Sequence, residues 1–304
     1  MSGVADGLDH RAFARALPVR TRRELTQLRD APGLMRLASH IALIAALGLG
    51  VAMRAPGWPL LMAALGVALV FLFTAMHEAS HRTAFATPRL NDAVLAGVGL
   101  ILLLPPEWFR LFHAAHHRHT QDPDKDPELA TPKPRTRRAY LIHVSGLTVW
   151  RAQIAALLRN AAGRCDDAYV PPSARPRVAR EARVMLTLYA GVAAAALLAG
   201  SAAPLTLWLG PLLLGQPALR LYLLAEHGRC PQVADMFANS RTTFTARAVR
   251  WLAWNMPYHA EHHALPTVPF HALPRLHALS RPHLKCTERG YGRFNRRFWA
   301  DLVG

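Results

Sequence analysis

His113-Ala-Ala-His-His-Arg-His-Thr120 is the stretch on which the reading of this chain turns. On a helix, His113, His116 and His117 stand at i, i+3 and i+4, so their imidazoles leave one face about a turn apart. A solvated helix gains nothing from crowding imidazoles, whereas neutral imidazole is the commonest protein ligand for a metal ion. The same spacing recurs at His259, His262 and His263, and His77-Glu-Ala-Ser-His81 offers a further i, i+4 pair. With the lone His227 the clusters hold nine imidazoles. One ion takes about four to six ligands, so nine imply two ions in one centre. Imidazole suits iron, zinc, copper and nickel alike, and ligand type does not choose among them. The lack of carboxylate within the clusters argues against magnesium, calcium and a glutamate-rich bundle site.

Long apolar runs surround these clusters. Residues 37–53, broken only by Ser39 and His40, and residues 59–76 are each long enough to cross a bilayer. Residues 184–200 and 205–225 are two more such runs, the last with Pro211 and Pro217 as expected kinks and Arg220 near enough to its end to snorkel. Residues 93–104 are apolar but short. If they crossed, the cluster at His113 would face away from His77 and His81, so they are expected to dip into the membrane and return, ending at Pro105-Pro106. The expected fold is an all-α integral membrane protein. Four transmembrane helices form two hairpins, and a cytoplasmic helical cap, residues 77–183 and 226–304, carries the histidines.

Charge supports this layout. The net charge is +17 with just over half the residues hydrophobic, and the arginines flank apolar segments instead of gathering on a nucleic-acid motif. Anionic lipid is therefore the expected surface, not nucleic acid. Arg54 is the one basic residue in either short turn between paired segments, so the positive-inside rule puts both termini and all the clusters in the cytoplasm. Residues 1–36 form a basic cytoplasmic segment preceding the membrane domain of residues 37–304. Residues 13–28 read either as a basic amphipathic helix on the membrane or as a solvated arm, without the apolar core of a signal peptide. Residues 140–158 read as an interfacial or packed helix. Cys165, Cys230 and Cys286 are scattered and suggest neither a disulfide framework nor a thiolate site.

These motifs resemble the membrane fatty acid desaturase and hydroxylase superfamily. The likeness runs from about residue 37 to 283 and rests on His-Glu-x-x-His at 77–81 and on His-x-x-His-His at 113–117 and 259–263. The lone histidine in Ala225-Glu-His-Gly228 matches as well. The tract from Asn255 to His263, followed by Pro266 and Pro269, is similar to the third box of bacterial acyl-lipid desaturases. The resemblance implies a non-haem di-iron centre that uses O2 as co-substrate on a fatty acyl or lipid substrate, in a bacterial inner membrane. It implies an external donor such as a ferredoxin-like protein, because the chain has no haem, flavin or iron–sulfur motif of its own. The implied ligands are His77, His81, His113, His116, His117, His227, His259, His262 and His263. Some acyl-CoA desaturases place Asn four residues before the lone histidine; here Leu223 stands there.

Carboxylates often accept the outer N–H of a ligating histidine. Glu78, Asp122, Asp126, Glu226 and Glu261, with His119 and Asn255, are the candidates for such support. His10, His40, His143, His271, His277 and His283 lack paired spacing and are read as structural. Trp251, Trp254, Phe294, Phe298 and Trp299 suit either an interfacial belt or ordinary packing. An acyl-chain or carotenoid hydroxylase or ketolase is the alternative within the superfamily. A membrane zinc protease with Glu78 as general base is a rival that leaves two clusters unexplained. A metal carrier is another, although carriers place their ligands at the bilayer midplane.

Overall fold

The computed structural model describes residues 7–303; residues 1–6 of the basic segment and Gly304 of the cap lie outside the described residues. Helices α1 (His10–Ala16) and α2 (Val19–Leu25) lead into α3 (Asp30–Ala52) and α4 (Trp58–Ser80). The single basic helix expected over 13–28 is thus two, because Pro18 holds the preceding Leu17 in extended backbone. This segment is not a solvated arm. Phe13 and Leu25 are buried, and the Phe13 ring lies 5.4 Å from Phe237.

After α4 come α5 (Pro88–Leu102), α6 (Pro106–His119), α7 (Arg137–Ser145), α8 (Leu147–Ala161), α9 (Arg175–Leu198) and α10 (Gly210–His227). A π-helical turn at Leu205–Leu209 opens the run into α10. Pro211 occupies the first turn of α10, where no helical N–H is needed, and Pro217 lies inside the helix. Among the described residues four helical stretches are long and apolar enough to cross a membrane: Val19–Ala52, Trp58–Ser80, Arg175–Leu198 and Leu205–His227. They overlap the four apolar runs of the sequence.

These helices differ in burial. The apolar stretch of α4 is more than half buried, by α3, α5 and α10, whereas those of α3 and α9 are nearly bare and present Met35, Ile41, Leu49, Leu188 and Leu198 outward. Such a surface suits lipid, because a helix satisfies its own backbone without water. Helices α4 and α10 approach closely at two glycines. A Cβ on Gly66 would fall 2.0 Å from the Pro211 carbonyl oxygen, and one on Gly215 would fall 2.2 Å from that of Gly66. Small residues at such a crossing let the backbones meet.

Helices α5 and α6 bend by 103° about Leu103, which takes a left-handed φ of +56° before Pro105 and Pro106 stop any continuation. Residues 93–104 therefore close one helix, and the chain changes direction into the next. The start of α6 is fixed by Glu181 of α9, whose carboxylate oxygens accept from the Glu107 N–H at 2.9 and 3.1 Å. A carboxylate is favourable at a helix N-terminus. The helix expected over 140–158 is also divided. Gly146 adopts φ +75° against Gln216, and α7 and α8 meet there at 54°.

The last quarter of the chain wraps the helix ends with α11 (Met236–Asn239), β1 (Thr242–Phe244), α12 (Arg247–Leu252), α13 (His259–Ala264), α14 (Leu273–Ser280), β2 (Thr287–Arg289) and α15 (Tyr291–Ala300). The two strands pair in parallel, Thr242 opposite Thr287, so the fold is not purely α-helical as expected. Pairing gives partners to backbone groups beside the buried third box, which a lone extended segment would leave unmade. Trp254, Phe294 and Phe298 are buried here, so these aromatics pack instead of forming an interfacial belt.

Candidate metal centre

Four helices deliver the histidines. His77 stands in the last turn of α4 and His81 caps that helix; His113, His116 and His117 lie along the second half of α6; His227 ends α10; His259, His262 and His263 lie on the short α13. All nine converge. The ligand atoms of His77, His81, His113, His117 and His262 lie within 4.8 Å of one another, and those of His116, His227 and His263 form a second such group. His259 joins the second group through its Nε2, 2.9 Å from Nε2 of His227. In the first pocket the closest nitrogen pairs are His81–His113 at 2.8 Å and His117–His262 at 3.2 Å.

The second pocket reveals what the nitrogens are set up to do. His116 Nδ1 donates to Asp126 Oδ1 at 2.9 Å, and His227 Nδ1 donates to the Asn239 carbonyl at 3.1 Å. A neutral imidazole has one N–H, so both Nε2 atoms carry bare lone pairs. Yet those two atoms face each other at 3.2 Å. Thr120 gives its hydroxyl proton to the His116 carbonyl, so His263 Nδ1 donates to Thr120 Oγ1 at 3.1 Å and leaves a buried, unpartnered Nε2. Lone pairs aimed at one another in a buried place repel unless a cation sits between them. Ligands at about 2.1 Å from one ion stand roughly 3 Å apart, the spacing seen here.

Protonation points the same way. Burial, then repulsion from neighbouring rings, holds His259, His262 and His263 well below the usual imidazole value, and burial takes His81 down to about 4. These rings are neutral at pH 7 and free to ligate. His116 is the exception. Burial lowers it, but Glu128 and Asp126 outweigh burial and raise it, so the two carboxylates favour positive charge at this ring, whether a proton or a metal ion brings it.

Three of the expected supporting residues stand against the rings. Asp126 accepts from His116; Glu226 Oε1 is 3.4 Å from His259 Nδ1; Glu78 Oε1 is 3.8 Å from His262 Nδ1. Glu78 Oε2 meanwhile accepts from Thr83 Oγ1 at 3.0 Å and from the Phe270 N–H at 3.1 Å. It thus lies behind a ring, not inside the pocket, which is no position for the general base of a zinc protease. The other four have different partners. Asp122 accepts from the Asp124 N–H and pairs with Lys125, and the half-exposed His119 interacts with Asp122. Asn255 donates to the Phe270 carbonyl at 3.0 Å, and Glu261 accepts from Thr242 and from His277 Nδ1. Neighbours in sequence on a helix point about 100° apart, so adjoining a ligand does not mean facing it.

Sequence reading also missed residues. Thr120 and Asn239 orient rings, and Asn239 further ties α11 to the end of α6 by donating to the Thr120 carbonyl at 3.2 Å. Glu128 Oε2 lies 3.5 Å from His116 Nε2. Only its place in an acidic loop just after the second box could have flagged it. The remaining histidines stay outside the pockets. His40 Nε2 bonds the Ala68 carbonyl between α3 and α4, His10 pairs with Asp235, and His283 accepts from the Leu8 N–H. Beside His227 a surface cleft of about 750 Å³ opens between Lys133, Arg135 and Arg229.

Membrane-length helices whose ends carry two adjoining histidine pockets define a membrane protein of the histidine-box kind. The fatty acid desaturase family model matches residues 54–296, most of the chain, and the protein belongs to that family. Family membership makes it an oxidoreductase acting on fatty acyl or related lipid substrates. A search of curated proteins finds no match.

Proposed function

We propose that the protein is an O2-dependent di-iron enzyme that introduces a double bond into a fatty acyl chain in the membrane. The observation that carries this reading is the second pocket, where the buried Nε2 atoms of His116 and His227 face each other at 3.2 Å with both outer nitrogens turned to a partner, and His259 Nε2 stands 2.9 Å from that of His227. His77, His81, His113, His117 and His262 would hold one iron, and His116, His227, His259 and His263 the other. Bound there, the irons supply activation of O2 and removal of hydrogen from an unactivated methylene.

The chain's own residues supply the rest. Asp126 fixes the His116 ring, since a partner on one nitrogen sets the tautomer of the other, and Glu226 and Glu78 place negative charge behind His259 and His262. Helices α3 with α4 and α9 with α10 would form two membrane hairpins, with the boxes and both termini on the cytoplasmic face of a bacterial inner membrane. The scarcity of basic residues in the turns at 54–57 and 199–204 supports that orientation. An acyl chain in lipid then meets the pockets where the helices end. The basic rim of the cleft beside His227 suits an acidic ferredoxin-like donor.

Lipid mass spectrometry of a host with and without the protein, paired with iron analysis, tests the reading. New unsaturated acyl chains and two irons per protein are expected. Hydroxylated lipid would move the assignment to the hydroxylases of the same family, and one zinc with no lipid change would sink it.

A further inference from the structure

We propose that the Glu128 carboxylate completes the second pocket as a metal ligand, so that one ion has five imidazoles and the other has four imidazoles and one oxygen. The inference rests on the two-iron reading above and adds an oxygen donor to it.

The geometry around His116 carries it. Nδ1 of this ring is committed to Asp126, so in the neutral ring Nε2 is a bare acceptor, yet that atom faces both His227 Nε2 at 3.2 Å and Glu128 Oε2 at 3.5 Å. An acceptor nitrogen with a second nitrogen at 3.2 Å and a carboxylate oxygen at 3.5 Å calls for a cation. The two oxygens of Glu128 have separate tasks. Oε1 takes an ion pair with Lys133, which leaves Oε2 turned to the histidines.

Local backbone brings the carboxylate there. Asp126 Oδ2 accepts from the Gln121 N–H at 2.8 Å, and its Oδ1 accepts from the Glu128 N–H at 2.9 Å while also holding His116. Asp126 thereby caps the 3-10 turn Pro127–Ala130 and ties it to the second box. One carboxylate orients a ligand ring and delivers the next carboxylate to the same point. An ordinary surface ion pair with Lys133 would need neither the cap nor the approach to His116.

The test uses the full chain, loaded with 57Fe in detergent, as wild type, Glu128→Gln, Glu128→His and Lys133→Gln. Iron per chain and Mössbauer spectra are the readouts. Wild type should show two unlike iron signals. Glu128→Gln should lose or shift one of them, with iron falling from about two per chain toward about one. Lys133→Gln should keep both, because it removes the cation and leaves the carboxylate. Glu128→His, offering nitrogen for oxygen, should hold the second iron with a shifted signal, which separates ligand loss from misfolding. Glu128→Gln with wild-type iron and spectrum would overturn this inference and leave the di-iron reading standing. Equal loss in Lys133→Gln and Glu128→Gln would overturn it too, since the ion pair would then be what matters. A wild-type protein that takes up no iron would overturn both readings together.

Discussion

The two pockets use the same side chain and hold it in different ways. In the second, each ring has a partner behind it: Asp126 for His116, the Asn239 carbonyl for His227, Thr120 for His263 and, at 3.4 Å, Glu226 for His259. In the first, both nitrogens of His77 and Nδ1 of His117 and His262 are buried without hydrogen bonds, and the nearest carboxylate is Glu78 at 3.8 Å. The first pocket is therefore oriented by packing, through rings set edge-to-face such as His77 and His113, with centroids 4.3 Å apart. The second is oriented by a hydrogen-bond network. Ligand loss should injure both alike, whereas loss of a supporting group should injure only the second.

The largest effect tests what the pockets share. His262→Ala and His116→Ala each remove one ring from a different pocket, and each should abolish product and lower iron content. Unchanged turnover in either variant, measured by lipid mass spectrometry, would take that pocket out of the active centre.

The next effect tests how they differ. Asp126→Asn keeps the shape but weakens the acceptor behind His116, and outer partners of this kind are worth about 10- to 100-fold in metal affinity. The loss should fall on the second iron alone in a competition titration with a chelator. Glu78→Gln should do less to the first iron, because an amide oxygen still accepts from Thr83 and the Phe270 N–H and the His262 contact is already long. Equal losses would erase the contrast between network and packing.

Much of this centre was legible in the residues, and the illegible part has a physical cause. The i, i+3, i+4 spacing exposes the ligands, and the shortness of residues 93–104, with the need for the boxes to share one side, gave the reason to expect a turn before the second box. The partition between pockets was not legible. On α6, His113 and His117 go to one pocket and His116 to the other; on α13, His262 goes one way and His259 with His263 the other. Residues at i and i+4 share a direction while i+3 lies off to one side, and which direction meets which partner depends on how α10 and α13 dock. Asn239, Thr120 and Glu128 were hidden for the same reason, since loops of this kind acquire their contacts only through tertiary packing. Gly146 and Pro18 were visible as residues, but treating their surroundings as continuous helix ignored what each does to backbone.

A smaller effect asks whether the pockets depend on one shared frame. Gly66→Ala puts a methyl group 2.0 Å from the Pro211 carbonyl oxygen, between the helices that carry His77 and His227. Prising α4 from α10 should cost about 1–3 kcal/mol, as overpacking does elsewhere. Unfolding in detergent should show it, with iron lost from both pockets together. Loss from one pocket only would mean that the pockets are held by separate supports.

The smallest effect is expected at His119, and its smallness is informative. This ring belongs to the same histidine-rich stretch as His113, His116 and His117, and composition alone would rank it with them. Standing two residues beyond His117, it does not share that ring's face and turns toward solvent and Asp122. His119→Ala should leave stability within about 0.5 kcal/mol of wild type, as at surface sites generally. Iron content and product yield should stay at wild-type levels. A loss of iron in this variant would show that a tenth imidazole takes part. The division of rings by helical direction, from which the contrast between the pockets is built, would then have to be redrawn.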